Sequence, residues 1–163
     1  MSRLDSVIRR LKAQRACLNF AAEQLRGREG AILELGLGNG RTYDHLGELF
    51  GRAAIYVFDR RVAAHPDCIP DDDHLLLGDI HATLPAAAAR LGRSVMLAHC
   101  DIGTGVAAEN QQLAAFLAAA LAPLLAPGAL LISDQPISLA RSEALALPDG
   151  VPAERYFIRR VVG

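Results

Sequence analysis

Ala31-Ile32-Leu33-Glu34-Leu35 is a short, almost wholly apolar run that breaks directly into Gly36-Leu37-Gly38-Asn39-Gly40. Such a run reads as a strand buried on both faces, as in a parallel sheet. The glycines let the backbone take angles closed to other residues and let a bound group approach the main chain. Residues 42–50 then turn helical, and Gly51 stops them. Free N–H groups at the start of such a helix favour an anion. Strand, glycine turn and helix in this order point to an open α/β sheet, whose ligands sit at the carboxyl ends of the strands.

The remaining chain repeats the alternation. Residues 5–26 are predicted helical, with Val7, Leu11, Leu18, Ala22 and Leu25 on one face and Gly27 at the stop. Further strands are predicted over 54–58, 74–77, 94–98 and 129–133. Helices are predicted over 82–91, with Thr83 and Pro85 in the first turn, and over 107–125. Residues 59–73 contain Pro66, Pro70 and Asp71-Asp72-Asp73 and are expected to hold at most one helical turn. The tail is predicted to be a hairpin of 144–147 and 156–162, turning at Pro148-Asp149-Gly150. The expected fold is therefore α/β: a Rossmann-like doubly wound sheet, mostly parallel, with an antiparallel C-terminal strand and a preceding N-terminal helix over 1–27. One domain over residues 1–163 is expected.

Composition narrows the function classes. Among 163 residues, 52% are hydrophobic and 21% charged, which suits a globular chain. A net charge of −1 gives no bulk attraction to nucleic acid or to an anionic membrane, so neither is expected as a partner and a small-molecule substrate is. Cys17, Cys68 and Cys100 are odd in number and lack a CxxC pair, which argues against a disulfide framework and fits a cytoplasmic setting. The amino terminus has no apolar signal core, and the apolar stretch 113–125 is short and interrupted by Pro123, so no membrane span is expected. The apolar 107–125 helix needs cover, from this fold alone or from a second copy of the chain, and a homo-oligomer is expected.

Acidic residues close successive strands: Glu34 before the glycines, Asp59 after the second strand and Asp79 after the third. A carboxylate some 20 residues past the first glycine suits two ribose hydroxyls. One after the third strand can accept from an adenine amino group. At these residues the chain resembles the class I S-adenosylmethionine-dependent methyltransferases. Their acidic-x-G-x-G-x-G motif is matched by Glu34, Gly36, Gly38 and Gly40, and their second acidic position by Asp59 in Val57-Phe58-Asp59-Arg60. Leu77-Gly78-Asp79-Ile80 matches the third motif, and Leu97-Ala98-His99-Cys100-Asp101 loosely matches the fourth-strand region. The P-G element appears at Leu125-Ala126-Pro127-Gly128 and runs to Asp134. Within the family the chain resembles very small bacterial members without an assigned acceptor.

The resemblance implies S-adenosylmethionine as cofactor and a role for each matching residue. Gly36, Gly38, Asn39, Gly40, Thr42 and Tyr43 would hold the methionine end, with Glu34 placing its ammonium group. Asp59 and Arg60 would sit at the ribose, and Gly78, Asp79 and Ile80 at the adenine. His99 would lie near the methionine portion or the reacting methyl and is the candidate base, with Asp101 as the alternative. Tyr43 and His45 would line the mouth. Asp101, Asp134 and Gln135 loosely resemble the metal site of catechol-type O-methyltransferases. The lysine of that site is replaced by Thr104, and loop caps are the plainer reading, so no metal is expected. Two rivals remain at this stage: a non-catalytic S-adenosylmethionine-binding module, and an NAD(P)-dependent oxidoreductase, whose G-x-G-x-x-G spacing the chain misses by one residue.

Overall fold

Ser2 starts the first helix, α1 (Arg3–Gln24), in the computed structural model, which describes residues 2–163. Its hydroxyl accepts the Asp5 N–H at 3.0 Å, and the Asp5 carboxylate accepts the Ser2 N–H at 3.0 Å, a reciprocal cap. The chain continues through β1 (Ala31–Leu35), α2 (Arg41–Phe50), β2 (Ile55–Asp59), β3 (Leu75–Leu77), α3 (Ile80–Leu91) and β4 (Val95–Cys100). It closes with α4 (Ala107–Leu121), β5 (Leu125–Ser133), β6 (Ser142–Ala144) and β7 (Phe157–Val161). Between β2 and β3 stands one short 3-10 turn, Pro66–Cys68.

The seven strands form one sheet in the order β3-β2-β1-β4-β5-β7-β6. The strands from β3 to β5 are parallel, while β7 runs antiparallel to β5 and β6 antiparallel to β7. Every residue of β1 is buried, as its apolar run requires. Side chains alternate across the pleat. Leu33, Leu35, Ala98 and Leu131 pack with Leu84 of α3 and Leu117 and Leu121 of α4. Ile32, Leu97, Leu130 and Ile132 pack on the opposite side with Cys17 and Leu18 of α1 and Leu46 of α2. The strand order reverses between β1 and β4, which opens a crevice at their carboxyl ends.

Four boundaries depart from the sequence reading. The last long helix stops at Leu121 rather than 125, where Pro123 lacks the N–H that would continue it. β5 then begins at Leu125, because Leu124 and Leu125 are fully buried and Leu125 already pairs with Val95. Pro127 and Gly128 fall inside this strand at a register shift rather than before it. Asp79 caps α3, which starts at Ile80 rather than 82, so Pro85 lies within the helix instead of its first turn. The tail hairpin pairs Ser142–Ala144 with β7 instead of 144–147, and the connection between them is longer than a tight turn. The large apolar side chains of α4 turn inward, leaving alanines with Glu109, Gln111 and Gln112 outside. The exposed large apolar residues of the helices lie instead on α1, at Leu4, Val7 and Ile8. No helix among the described residues is long and apolar enough to cross a membrane.

Candidate active site

The turn after β1 is held from below by β2. Asp59 Oδ2 accepts the N–H groups of Leu37 at 2.8 Å and Gly38 at 3.2 Å, and Oδ1 accepts that of Arg61 at 3.2 Å. Gly36 has φ +98, and a Cβ there would collide with Cγ2 of Ile102, so two loops touch through the missing side chain. Gly38 has φ +51, yet a Cβ on it would meet no protein atom within 4 Å; it faces open space. Gly40 begins α2 without any side-chain cap, leaving first-turn N–H groups for a ligand.

Two cavities flank this turn. One, of about 220 Å³, is walled by Phe58, Ile80, Ile102 and Leu113 and by the backbone at Gly78. The other, of about 310 Å³, is more polar and is lined by Arg10, Gln14, Asn39, Thr42 and Asp101. Gly36, Asp59 and Ile102 belong to both, so Asp59 stands where an apolar half meets a polar half.

Behind the polar half lies a buried network. Glu34 is paired with His99 across β1 and β4, and both are 0% exposed. The Thr42 hydroxyl donates to Glu34 Oε1, and His99 Nδ1 donates to Glu34 Oε2 at 2.7 Å. Burial pushes the His99 imidazole down, but the charge and hydrogen bond of Glu34 more than offset it, so His99 holds its proton above the ordinary histidine range. Its Nε2 has no partner among the described residues, and neither does the hydroxyl of buried Tyr156.

On the cavity wall, Gln14 donates to Asp101 Oδ2, and the Arg10 guanidinium lies 3.6 Å from the same oxygen. Asp134, at the end of β5, accepts the Gly103 N–H at 3.1 Å. Burial first, and then the negative charge of Asp101, raise its carboxyl above the usual carboxylate range.

The predicted residues thus separate. Gly36, Gly38, Asn39, Thr42, Asp59 and Asp101 meet at the polar half, and Arg60, Gly78 and Ile80 line the apolar half. Asp79 lies off the lining: its Oδ1 caps α3 through the His81 N–H at 2.9 Å, and its Oδ2 receives Arg60 at 3.2 Å. Tyr43 is buried in the α1–α2 core under the Arg52 guanidinium, 5.4 Å from its ring centre, and lines neither cavity. His45 lies on a groove between α1 and α2, hydrogen-bonded to Asn19 at 2.7 Å. Cys100 points into the α3–α4 core, where burial raises its thiol. Among the described residues no group of His, Cys, Asp and Glu is arranged to hold a metal. Sequence reading missed Arg10 and Gln14. The available signal was a polar residue at 14 falling on the stripe of α1 that also carries Cys17, Leu18 and Ala21.

The strand order and the glycine turn define a Rossmann-like protein with a crevice for an extended nucleoside ligand. The dinucleotide oxidoreductases use an order of 3-2-1-4-5-6, and the antiparallel strand inserted here beside β5 departs from it. The family model for S-adenosyl-L-methionine methyltransferases matches residues 1–161, and the chain belongs to that family, with S-adenosylmethionine as its cofactor. The crystal structure of an S-adenosyl-L-methionine methyltransferase from Silicibacter pomeroyi DSS-3 is 45% identical, covers 98% of both chains and superposes with a TM-score of 0.90. The fold is shared with CalS11, a TDP-rhamnose 3'-O-methyltransferase of calicheamicin biosynthesis, at 17% identity and TM-score 0.61 over 90% of this chain and 77% of that one. A chain of the fibrillarin/Nop5p complex shares it at 16% identity and TM-score 0.56 over 93% and 83%. A search of curated proteins by sequence returns no match.

Proposed function

We propose that the chain, as one domain, methylates a small molecule, with S-adenosylmethionine lying across Asp59 in the cleft. The observation that carries this reading is the junction at Asp59 of an apolar cavity with a polar one, the division a nucleoside joined to an amino acid requires. The open space at Gly38 and the uncapped start of α2 suit the close approach of a charged amino-acid end. S-adenosylmethionine supplies a sulfonium-bound methyl that must be aligned with the attacking atom.

The chain's own residues do the aligning. Phe58, Ile80, Ile102 and Leu113 enclose the base, and Asp59 Oδ1, which accepts one N–H, has room for a ribose hydroxyl. Asp79 acts through the α3 cap, fixing Gly78 and Ile80. Glu34 and His99 act from behind the turn, holding Thr42 and β4 in place. Asp101, on the wall and held by Gln14 and Arg10, accepts the acceptor's proton where there is one to remove.

Asp101→Asn is expected to lower kcat by about a hundredfold or more with little change in cofactor affinity. A wild-type protein that binds cofactor but never forms S-adenosylhomocysteine with any small acceptor would contradict the reading. A cytoplasmic setting, where the three thiols stay reduced, and self-association through exposed Leu4 and Val7 belong to the same proposal. Sedimentation with Leu4→Ser/Val7→Ser checks the latter.

A further inference from the structure

A groove of about 450 Å³ lies between α1 and α2, larger than either half of the cleft. Leu11, Gln14, Arg41 and Thr42 line both the groove and the polar half, so the two lie side by side across a shared wall. Its volume is that of a ligand pocket for a small molecule. The floor is apolar: Leu18 is buried, Leu11 half-buried, and Ile8 closes the outer end.

The rim is cationic. Lys12 and Arg15 rise from α1 and Arg41 from the first turn of α2, and all three are exposed. Among the described residues no carboxylate pairs with any of them. The acidic residues of the groove are turned to other partners. Asp44 receives Arg52 at 2.7 Å, and Glu48, 76% exposed, stands 3.9 Å from His45. On a chain of net charge −1, cations left unmatched on one rim are a local excess that favours an anion. Guanidinium forks pair with two oxygens of a carboxylate or phosphate, and a lysine adds a point charge.

We propose that this groove seats the methyl acceptor, and that the acceptor is a small molecule with an apolar body and an anionic head, carboxylate or phosphate. The proposal rests on the assignment of the cofactor to the neighbouring cleft. A neutral acceptor would leave the cationic rim unused, and a cationic one would be repelled by it.

The test is an NMR titration of the full chain saturated with S-adenosylhomocysteine, using 3-phenylpropanoate, its neutral amide 3-phenylpropanamide, and phenethyl phosphate. At least one anion is expected to bind about tenfold tighter than the amide or better, with shifts centred on Ile8, Lys12 and Arg15. The tighter anion identifies the head group. The double variant Lys12→Gln/Arg15→Gln is expected to abolish that preference while leaving S-adenosylhomocysteine affinity within about twofold. Equal binding of all three probes, or no probe binding to a protein that holds S-adenosylhomocysteine, would overturn the groove assignment alone. A dimer dissociated by the double variant, with no probe bound, would give the groove to a second copy and overturn it too. A wild-type chain that does not bind S-adenosylhomocysteine would sink the cofactor reading first.

Discussion

Two carboxylate–imidazole pairs stand at the rim of the same sheet. Glu34 meets His99 Nδ1 at 2.7 Å, and Asp79 meets His81 Nδ1 at 2.8 Å. The contacts are nearly equal in length, but the first pair is sealed under α1 and α2 while the side chains of the second are 56% and 52% exposed. Water can replace either partner at Asp79, and salt screens the pair. No water reaches Glu34, so each partner there depends on the other. Equal geometry therefore carries unequal weight. The buried pair braces the turn that forms the site, and the exposed pair trims one helix end.

The largest expected effect is Glu34→Ala, which strands His99 in the interior and frees the half-buried Thr42 hydroxyl. It is expected to cost about 3–5 kcal/mol in urea unfolding, whereas Asp79→Ala, which loses a cap in solvent, is expected to cost far less. Equal losses would break the contrast. Next comes Gly38→Ala. Its Cβ meets no protein atom, so stability is expected to fall by no more than about 1–2 kcal/mol for the left-handed backbone. Calorimetric affinity for S-adenosylhomocysteine is expected to fall about tenfold or more, because the methyl would stand in the cleft. Asp59→Asn is expected to weaken the same binding to a similar degree, since it disturbs the Leu37 and Gly38 N–H groups as well as the proposed ribose contact.

The smallest effect, and the sharpest on the contrast, is on pH dependence. His99 has its pKa raised above the ordinary 6.5 by Glu34 against the pull of burial. Its contribution is complete below that value and is lost as pH rises through the raised one, so the stability gap between wild type and His99→Gln narrows on the alkaline side. Asp79 has its pKa lowered from 3.8, first by the His81 N–H and then by the His81 side chain. Its contribution is present above 3.8 and fades as pH falls through the lowered value, on the acid side. Unfolding curves across pH check both directions.

Much of the fold was legible because its signals are local. The apolar run, the glycines and the helix start are adjacent in the chain, and Asp59 lies one strand away. The misread boundaries have local causes too. Pro127-Gly128 reads as a stop, and only the buried pairing of Leu125 with Val95 shows that the strand has already begun. Asp79 was legible as a strand end, and the backbone N–H of His81 shows that it caps α3. The wall of the polar cavity was the least legible part. Gln14 and Asp101 are 87 residues apart and meet only because α1 packs across the ends of β1 and β4. His99 matched a motif position, yet nothing in sequence indicates that its neighbours bury it completely.

In the proposed arrangement Asp59 divides one continuous cleft that holds the cofactor. Isothermal titration of the wild-type chain with S-adenosylhomocysteine, set beside Asp59→Asn, tests it most directly. Saturable one-to-one heat in the wild type, much weakened in the variant, is the predicted result. Binding of equal strength in both, or no heat in either, would contradict it.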